Sequence, residues 1–166
     1  MMSITTKKGD NGSTSLYSGQ IVKKHNPRVD CYGTIDELNA FLNETTHHLK
    51  IEINKEIISG IQENLYKIMA ELATIEKPFK NKIKQTDIDH IESLIQNLEK
   101  TNNIKGFINL GKTLPAAKLD ICRTITRRAE RKISALAEQG DISENIPKYI
   151  NRLSDLLFLM AISETQ

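Results

Sequence analysis

The fold class is decided by one stretch of the sequence, which reads PAAKLDICRTITRRAERKISALAEQG from residue 115 to residue 140. A helix turns by about 100° per residue, which places its apolar residues on one side: Ile121, Cys122, Ile125, Ala129, Ile133 and Leu136. Arg123, Arg127 and Glu130 then fall within an arc of about 60° on the other side. The pattern predicts an amphipathic helix from about Pro115 to Gln139, which Gly140 ends and whose apolar side packs in a core.

Four more helices are predicted along the chain, from the same apolar spacing. They run over Val29–Leu49, over Ile53–Ile75, from an N-cap at Thr86, and from about Pro147 towards the C-terminus. The connections are short and no strand pattern is longer than a few residues, so we expect an all-α, five-helix antiparallel bundle. The chain is interpreted as one domain over residues 1–166, in which a Gly-, Thr-, Ser- and Lys-rich segment (1–26) precedes the bundle (27–166).

The overall composition excludes several classes of protein. Hydrophobic residues make up 39% and charged residues 27% of the chain, which is typical of a soluble globular domain. A net charge of +2 does not indicate the broad basic face of a nucleic-acid-binding protein. There is no secretory signal pattern, and no apolar run approaches the ~20 residues of a membrane span. We therefore expect a cytoplasmic protein without nucleic-acid or membrane partners, with Cys31 and Cys122 as reduced core residues.

The arginines are distributed unevenly. Six arginines stand beside a larger number of lysines, and four of the six lie between Arg123 and Arg131. Because a generic surface charge is supplied by Lys elsewhere in this chain, Arg indicates contacts that need its planar, bidentate fork. The face predicts a polyphosphate site, with Glu130 helping to hold a divalent cation. A solvated charged face with i,i+4 pairs is the alternative.

Three further segments carry polar side chains suited to binding. Asp36 lies on the polar face of the first helix and is a candidate salt-bridge partner or nucleotide contact. Asn151 lies in mid-helix, where Asn is unfavourable, which indicates either a hydrogen-bonding role or a tolerated surface residue. The stretch Thr6–Thr14 combines two glycines with hydroxyls and lysines, and is either an anion-binding loop or a flexible leader.

One further motif is interpreted as a coincidence. The segment Gly106–Thr113 formally matches the P-loop pattern GxxxxGKT. That motif needs a buried strand before it and a βα unit around it. Here a predicted helix precedes it and no parallel-sheet pattern exists, so we do not expect a P-loop.

Taken together, the motifs resemble the PduO-type ATP:corrinoid adenosyltransferase family along nearly the whole chain. The resemblance is carried by segments in the family's order: Thr6–Thr14, Lys24 with Arg28-Val29, Gly33–Asn39, Cys122–Arg131 and Ile150–Asp155. All six arginines fall inside these segments. The loop Asn109–Lys112 departs from the family, which usually has LPGG there.

The resemblance implies a homotrimer that binds ATP with Mg²⁺ between neighbouring subunits, with residues 1–26 as a nucleotide-binding segment. The ATP-binding residues that it implies are Thr6, Lys7, Gly9, Asp10, Gly12, Thr14, Lys24, Arg127, Arg128, Glu130, Arg131 and Asn151. Glu130 would serve the Mg²⁺ through ATP, and Phe107 would lie beside the corrinoid. Asp36 and Arg123 would pair across the subunit interface and, with Arg127, form the catalytic set.

The reaction implied by the resemblance is attack of cob(I)alamin on the 5′ carbon of ATP, with release of triphosphate. A corrinoid reductase and an adenosylcobalamin-dependent enzyme are the protein partners that such a reaction implies. Two alternatives stay open from the sequence: a non-catalytic ATP-binding relative that acts as a carrier or regulator, and a helical-bundle interaction module whose Arg face docks an acidic partner.

Overall fold

The structure is a computed structural model that describes residues 5, 7, 9–102, 106, 108–139 and 142–165. Within these residues five α-helices follow one another: α1 Pro27–Thr46, α2 Glu52–Leu72, α3 Gln85–Thr101, α4 Leu114–Ala137 and α5 Asn145–Ser163. The predicted five-helix fold is confirmed. None of the helices is long and apolar enough to cross a membrane, as far as the described residues go.

The helices form a bundle in which one neighbouring pair is parallel. Helix α5 packs against α4 and α3, α4 packs against α1, and α1 packs against α2. The side chain of Arg152 bonds Glu92, while Leu159 accepts a bond from Asn102, so α3 and α5 run in the same direction. The bundle has an odd number of helices. If each helix reverses the direction of the one before it in the chain, at least two neighbours around a ring of five must run in the same direction.

The core is built mainly on α5 and on the apolar side of α4. Cys122, Ala129 and Ile133 of α4 are fully buried, as predicted, but Ile121 is 45% exposed. Ile121 precedes Cys122 by one residue and is therefore turned by about 100° away from the core. The two cysteines are free and buried, and burial raises the pKa of Cys31 to about 12 and that of Cys122 to about 11.

Several predicted helix boundaries are shifted. Helix α1 ends at Thr46 rather than at Leu49. Helix α2 ends at Leu72 rather than near Ile75. Helix α3 is capped at Lys84 and not at Thr86, because the Asp87 carboxylate accepts a hydrogen bond from the Lys84 amide at 2.8 Å. Helix α5 begins at Asn145. Pro147 therefore lies inside the first turn, where a backbone amide would have no helical carbonyl to donate to, so proline costs no hydrogen bond there.

The N-terminal segment contains a small antiparallel hairpin that the sequence pattern did not predict. Strand β1 (Ser13–Ser15) pairs with β2 (Ile21–Lys23), with Thr14 opposite Val22. Gly19 has a φ of +101°, which glycine adopts without strain and which lets the turn close. The hairpin is followed directly by α1, so it brings the N-terminal residues to one end of the bundle.

Candidate functional site

The charged residues of α4 point in three directions. Arg128 forms an ion pair with Glu37 of α1. Glu130 faces the other neighbour, α5, because two residues along a helix correspond to a rotation of about 200°. Arg127 lies between these two directions and is exposed. One α4 helix therefore cannot direct both Arg128 and Glu130 at the same ligand.

Glu130 and Asn151 are joined by a hydrogen bond. The Asn151 amide nitrogen donates to Glu130 Oε1 at 2.8 Å. Its carbonyl oxygen accepts from Arg152 Nη1 at 2.8 Å, and Arg152 Nε donates to Glu92 Oε1 at 2.9 Å. The two site residues that the sequence suggested on α4 and α5 are thus brought together, and the second helix fixes the orientation of the carboxylate.

Arg123 and Asp36 are not brought together within one protomer. Arg123 Nε donates to Asp120 Oδ1 at 2.8 Å on its own helix. Asp36 is exposed and lines a groove of about 420 Å³ between α1 and α2, together with Asn39 and Tyr66. The predicted pair therefore requires a second copy of the chain.

Gly9 and Thr14 of the N-terminal segment lie close to Lys24. A Cβ added to Gly9 would lie 3.2 Å from Lys24 Nζ, so the glycine lets the ammonium group approach the backbone. The Lys24 amide donates to the Gly12 carbonyl at 2.9 Å. Gly9, Thr14 and Lys24 line one cavity of about 580 Å³. We call these three residues the hairpin half-site.

The remaining predicted residues of this segment are more dispersed. Gly12 has a φ of +75° and Lys7 a φ of +56°. A lysine in the left-handed region is strained, since its Cβ crowds the backbone there. Lys7 and Asp10 are exposed. Thr6 lies outside the described residues.

Lys24 also lines a second cavity, together with a lysine, Lys132, that the sequence analysis did not identify as a site residue. This cavity, of about 720 Å³, is lined by Lys24, Arg128 and Lys132 among others. Lys132 bonds Asp30 Oδ1 at 2.6 Å and Thr34 Oγ1 at 2.9 Å. Lys132 follows Arg128 by four residues and so lies on the same helix face, which is the feature of the sequence that could have identified it.

The segment with the P-loop spacing has a helical environment, as expected. Helix α3 ends at Thr101 before it, and a short 3₁₀ turn at Leu110–Lys112 lies within it. Asn109 caps that turn by accepting a bond from the Gly111 amide at 2.9 Å. The described part of the segment thus lacks the preceding strand of a P-loop. Phe107 lies outside the described residues.

The carboxylate of Glu130 suits a metal ion only when that ion is also bound by a phosphate ligand. The described part of the chain contains no group of three His, Cys, Asp or Glu residues that could hold a metal. Glu130 is a single carboxylate beside an exposed arginine, Arg127. Mg²⁺ is commonly held by one or two carboxylates plus phosphates, so this residue set fits a phosphate-bound ion and does not fit a resident metal centre.

Comparison with known proteins identifies the relatives of this chain. The sequence profile of the family described as cobalamin adenosyltransferase matches residues 4–164. The corrinoid adenosyltransferase of Citrobacter freundii is 38% identical over 99% of this chain and 97% of its own length. The corrinoid adenosyltransferase PduO of Salmonella typhimurium is 37% identical over 98% of this chain, which spans only 50% of that relative.

Solved structures show the same architecture. A phenylalanine-to-alanine variant of a PduO-type ATP:corrinoid adenosyltransferase from Lactobacillus reuteri, complexed with cobalamin and ATP, superposes with a TM-score of 0.91. It is 34% identical, and the match covers 98% of this chain and 93% of that one. An arginine-to-lysine variant from the same organism, complexed with ATP, gives a TM-score of 0.89 at 35% identity. The chain described here therefore belongs to the cobalamin adenosyltransferase family of enzymes.

Proposed function

We propose that this chain transfers the 5′-deoxyadenosyl group of ATP to a cob(I)alamin-type corrinoid and releases triphosphate. The observation that carries the proposal is the match of the whole fold, and of 99% of the chain at 38% identity, to corrinoid adenosyltransferases. The cationic and polar residues that the motifs suggested also occur in two clusters, the hairpin half-site and the surface of Arg127, Glu130 and Asn151. We call the second cluster the α4–α5 half-site.

The proposed step is an in-line displacement at carbon. The electron pair of the reduced cobalt forms the Co–C5′ bond while the C5′–O bond breaks, and that bond's electron pair leaves with the triphosphate. Because the corrinoid supplies the nucleophile, the protein needs no general base. Its role is to align the reactants and to stabilise the negative charge on the leaving group, for which Arg127 and Lys24 are suited.

Mg²⁺ would be bound by the ATP phosphates and by Glu130. It would neutralise charge on the triphosphate as it leaves. The bond from Asn151 holds one oxygen of Glu130 and leaves the other for the ion or its water ligands. Phe107 would lie beside the corrinoid.

The geometry of the two half-sites supports an ATP site between subunits of a homotrimer. Lys24 lies on the α1 side of α4, whereas Glu130 lies on its α5 side. One protomer thus presents the two clusters on different sides, and a neighbouring copy supplies the missing one in our proposal. Asp36 of one copy would then pair with Arg123 of the next, and Arg123 would exchange its present partner Asp120.

The test is an anaerobic spectroscopic assay with chemically reduced cob(I)alamin and Mg-ATP, which follows adenosylcobalamin formation. We expect saturable turnover that is lost in Arg127→Ala. A chain that is stabilised by Mg-ATP but does not turn over would be a binding-only relative, and a chain that does not respond to Mg-ATP would be an interaction module. A cytoplasmic location, a corrinoid reductase as electron donor and an adenosylcobalamin-dependent enzyme as recipient belong to the same proposal.

A further inference from the structure

The hairpin that carries the hairpin half-site is too small to hold its own shape. Its two strands contain three residues each, and isolated two-stranded hairpins are marginal in water. Leu16 is buried, but Tyr17 and Ile21 are 76% and 71% exposed. Leu16 is thus the one fully buried apolar side chain of the hairpin, beside a half-buried Val22, and other contacts must help to set the orientation of the hairpin.

Those contacts come from the turn of the hairpin. The Ser18 amide donates to the Ala73 carbonyl at 3.3 Å, and Ser18 Oγ accepts from the Ile75 amide at 3.1 Å. Gln20 Nε2 donates to the Ile75 carbonyl and to Glu76 Oε2, both at 3.2 Å. Two polar side chains thus dock the hairpin turn on the connection that follows α2.

The connection after α2 has a backbone conformation that these hydrogen bonds hold in place. Glu76 has a φ of +60°, in the left-handed region that a residue with a Cβ adopts only when its surroundings impose it. Both backbone polar groups of the preceding residue, Ile75, are occupied by the hairpin turn. Lys77 Nζ adds a bond to the Ser18 carbonyl at 3.1 Å. The strained turn and the hairpin turn therefore form one hydrogen-bonded unit.

We propose that Gln20 and Ser18 are positioning residues for triphosphate binding. They do not line the cavity of the hairpin half-site. They fix the hairpin on the bundle, and the hairpin in turn fixes Thr14 in β1 and Lys24 after β2. This inference rests on the proposed function, because it takes the hairpin half-site to bind the triphosphate of ATP. Its consequence is that a change at the turn alters ATP binding from outside the site.

The experiment measures the Kd of Mg-ATP by calorimetry, and the KM values of Mg-ATP and cob(I)alamin by the anaerobic assay, on the full-length protein. For Gln20→Ala we expect the Kd and KM of Mg-ATP to rise about tenfold, with the KM of cob(I)alamin within twofold of wild type. Ser18→Ala should behave in the same way, and Ser18→Thr should restore ATP binding because it keeps the hydroxyl. The matched control is Gln85→Ala, which removes an exposed bond to Asp89 on α3.

Three results would overturn the inference. One is an unchanged Kd of Mg-ATP in Gln20→Ala, whether or not the wild-type protein turns over. The others are an equal rise in both KM values and the same ATP defect in Gln85→Ala, since each indicates a general effect that is not confined to the hairpin turn. A wild-type protein that binds Mg-ATP without turnover would instead refute the proposed function, and calorimetry would still decide the role of Gln20.

Discussion

The bond between Asn151 and Glu130 provides the sharpest test of the α4–α5 half-site. Asn151→Ala removes the donor that lies 2.8 Å from Glu130 Oε1 and an acceptor of Arg152, which keeps its bond to Glu92. Hydrogen bonds to charged groups contribute about 1.5–3 kcal/mol. Both side chains are half-buried, so we take the lower end, about 1.5 kcal/mol. If all of it orients the carboxylate for Mg-ATP, the affinity should fall roughly tenfold.

A double-mutant cycle separates this role from a loss of stability. Asn151→Ala, Glu130→Ala and the double variant are compared for the Kd of Mg-ATP and for the free energy of unfolding in urea. We expect a coupling of about 1 kcal/mol in ATP binding, because residues in direct contact are not additive. Asn97→Ala, on the exposed face of α3, is the matched control. Additive effects on ATP affinity, within about 0.5 kcal/mol, would refute the reasoning.

Four more outcomes are expected. Arg127→Lys keeps the charge but loses the bidentate fork, so kcat/KM for Mg-ATP should fall at least tenfold in the anaerobic assay; wild-type kinetics would exclude that role. Gly9→Ala would bring a Cβ to 3.2 Å from Lys24 Nζ; because this atom ends a flexible, exposed side chain that can move aside, calorimetry should show ATP binding close to that of wild type. Gly60→Ala, whose Cβ meets no atom within 4 Å, should instead stabilise α2 by about 0.5–1 kcal/mol in urea unfolding, with ATP binding unchanged. Burial raises the pKa of Cys122 from 9.0 to about 11, so the unfolded chain loses this proton first as pH rises. Stability should therefore decline above pH 9.0 by up to about 1.4 kcal/mol per pH unit more in wild type than in Cys122→Ala; parallel urea-unfolding profiles would contradict this.

The sequence predicted the helices well because their apolar spacing is a local property. It placed Arg123, Arg127 and Glu130 on one arc of α4, but an arc does not specify the neighbouring helices. Only the packing shows that α1 occupies the side of Arg128 and α5 the side of Glu130. The parallel pairing of α3 with α5 was not predicted either, because the number of helices does not determine which helices become neighbours.

The hairpin shows where sequence reasoning had no signal. Strands of three residues carry too little alternation to differ from a loop, and their order is maintained by residues far away in the chain. Gln20 and Ser18 bond the backbone of Ile75, more than fifty positions later. No local pattern predicts such bonds. The anion-binding chemistry expected of the N-terminal segment stays a prediction, and its hairpin was not predicted.

The separation of the two half-sites links the fold to the proposed chemistry. In-line displacement needs the leaving triphosphate to be held along its length while the 5′ carbon stays open to the corrinoid. A site built entirely on one face of one helix would hold the phosphates from a single side. Arg128, which lies beside Lys24, and Glu130, which bonds Asn151, are on opposite sides of α4. They cannot contact the same ligand within one protomer. In a closed ring of copies, each protomer would contribute its hairpin half-site to one boundary and its α4–α5 half-site to the other, so that every ATP is bound from two sides. On this reasoning the ATP site that we propose needs a neighbouring copy of the chain, and dissociation of the proposed trimer should abolish turnover.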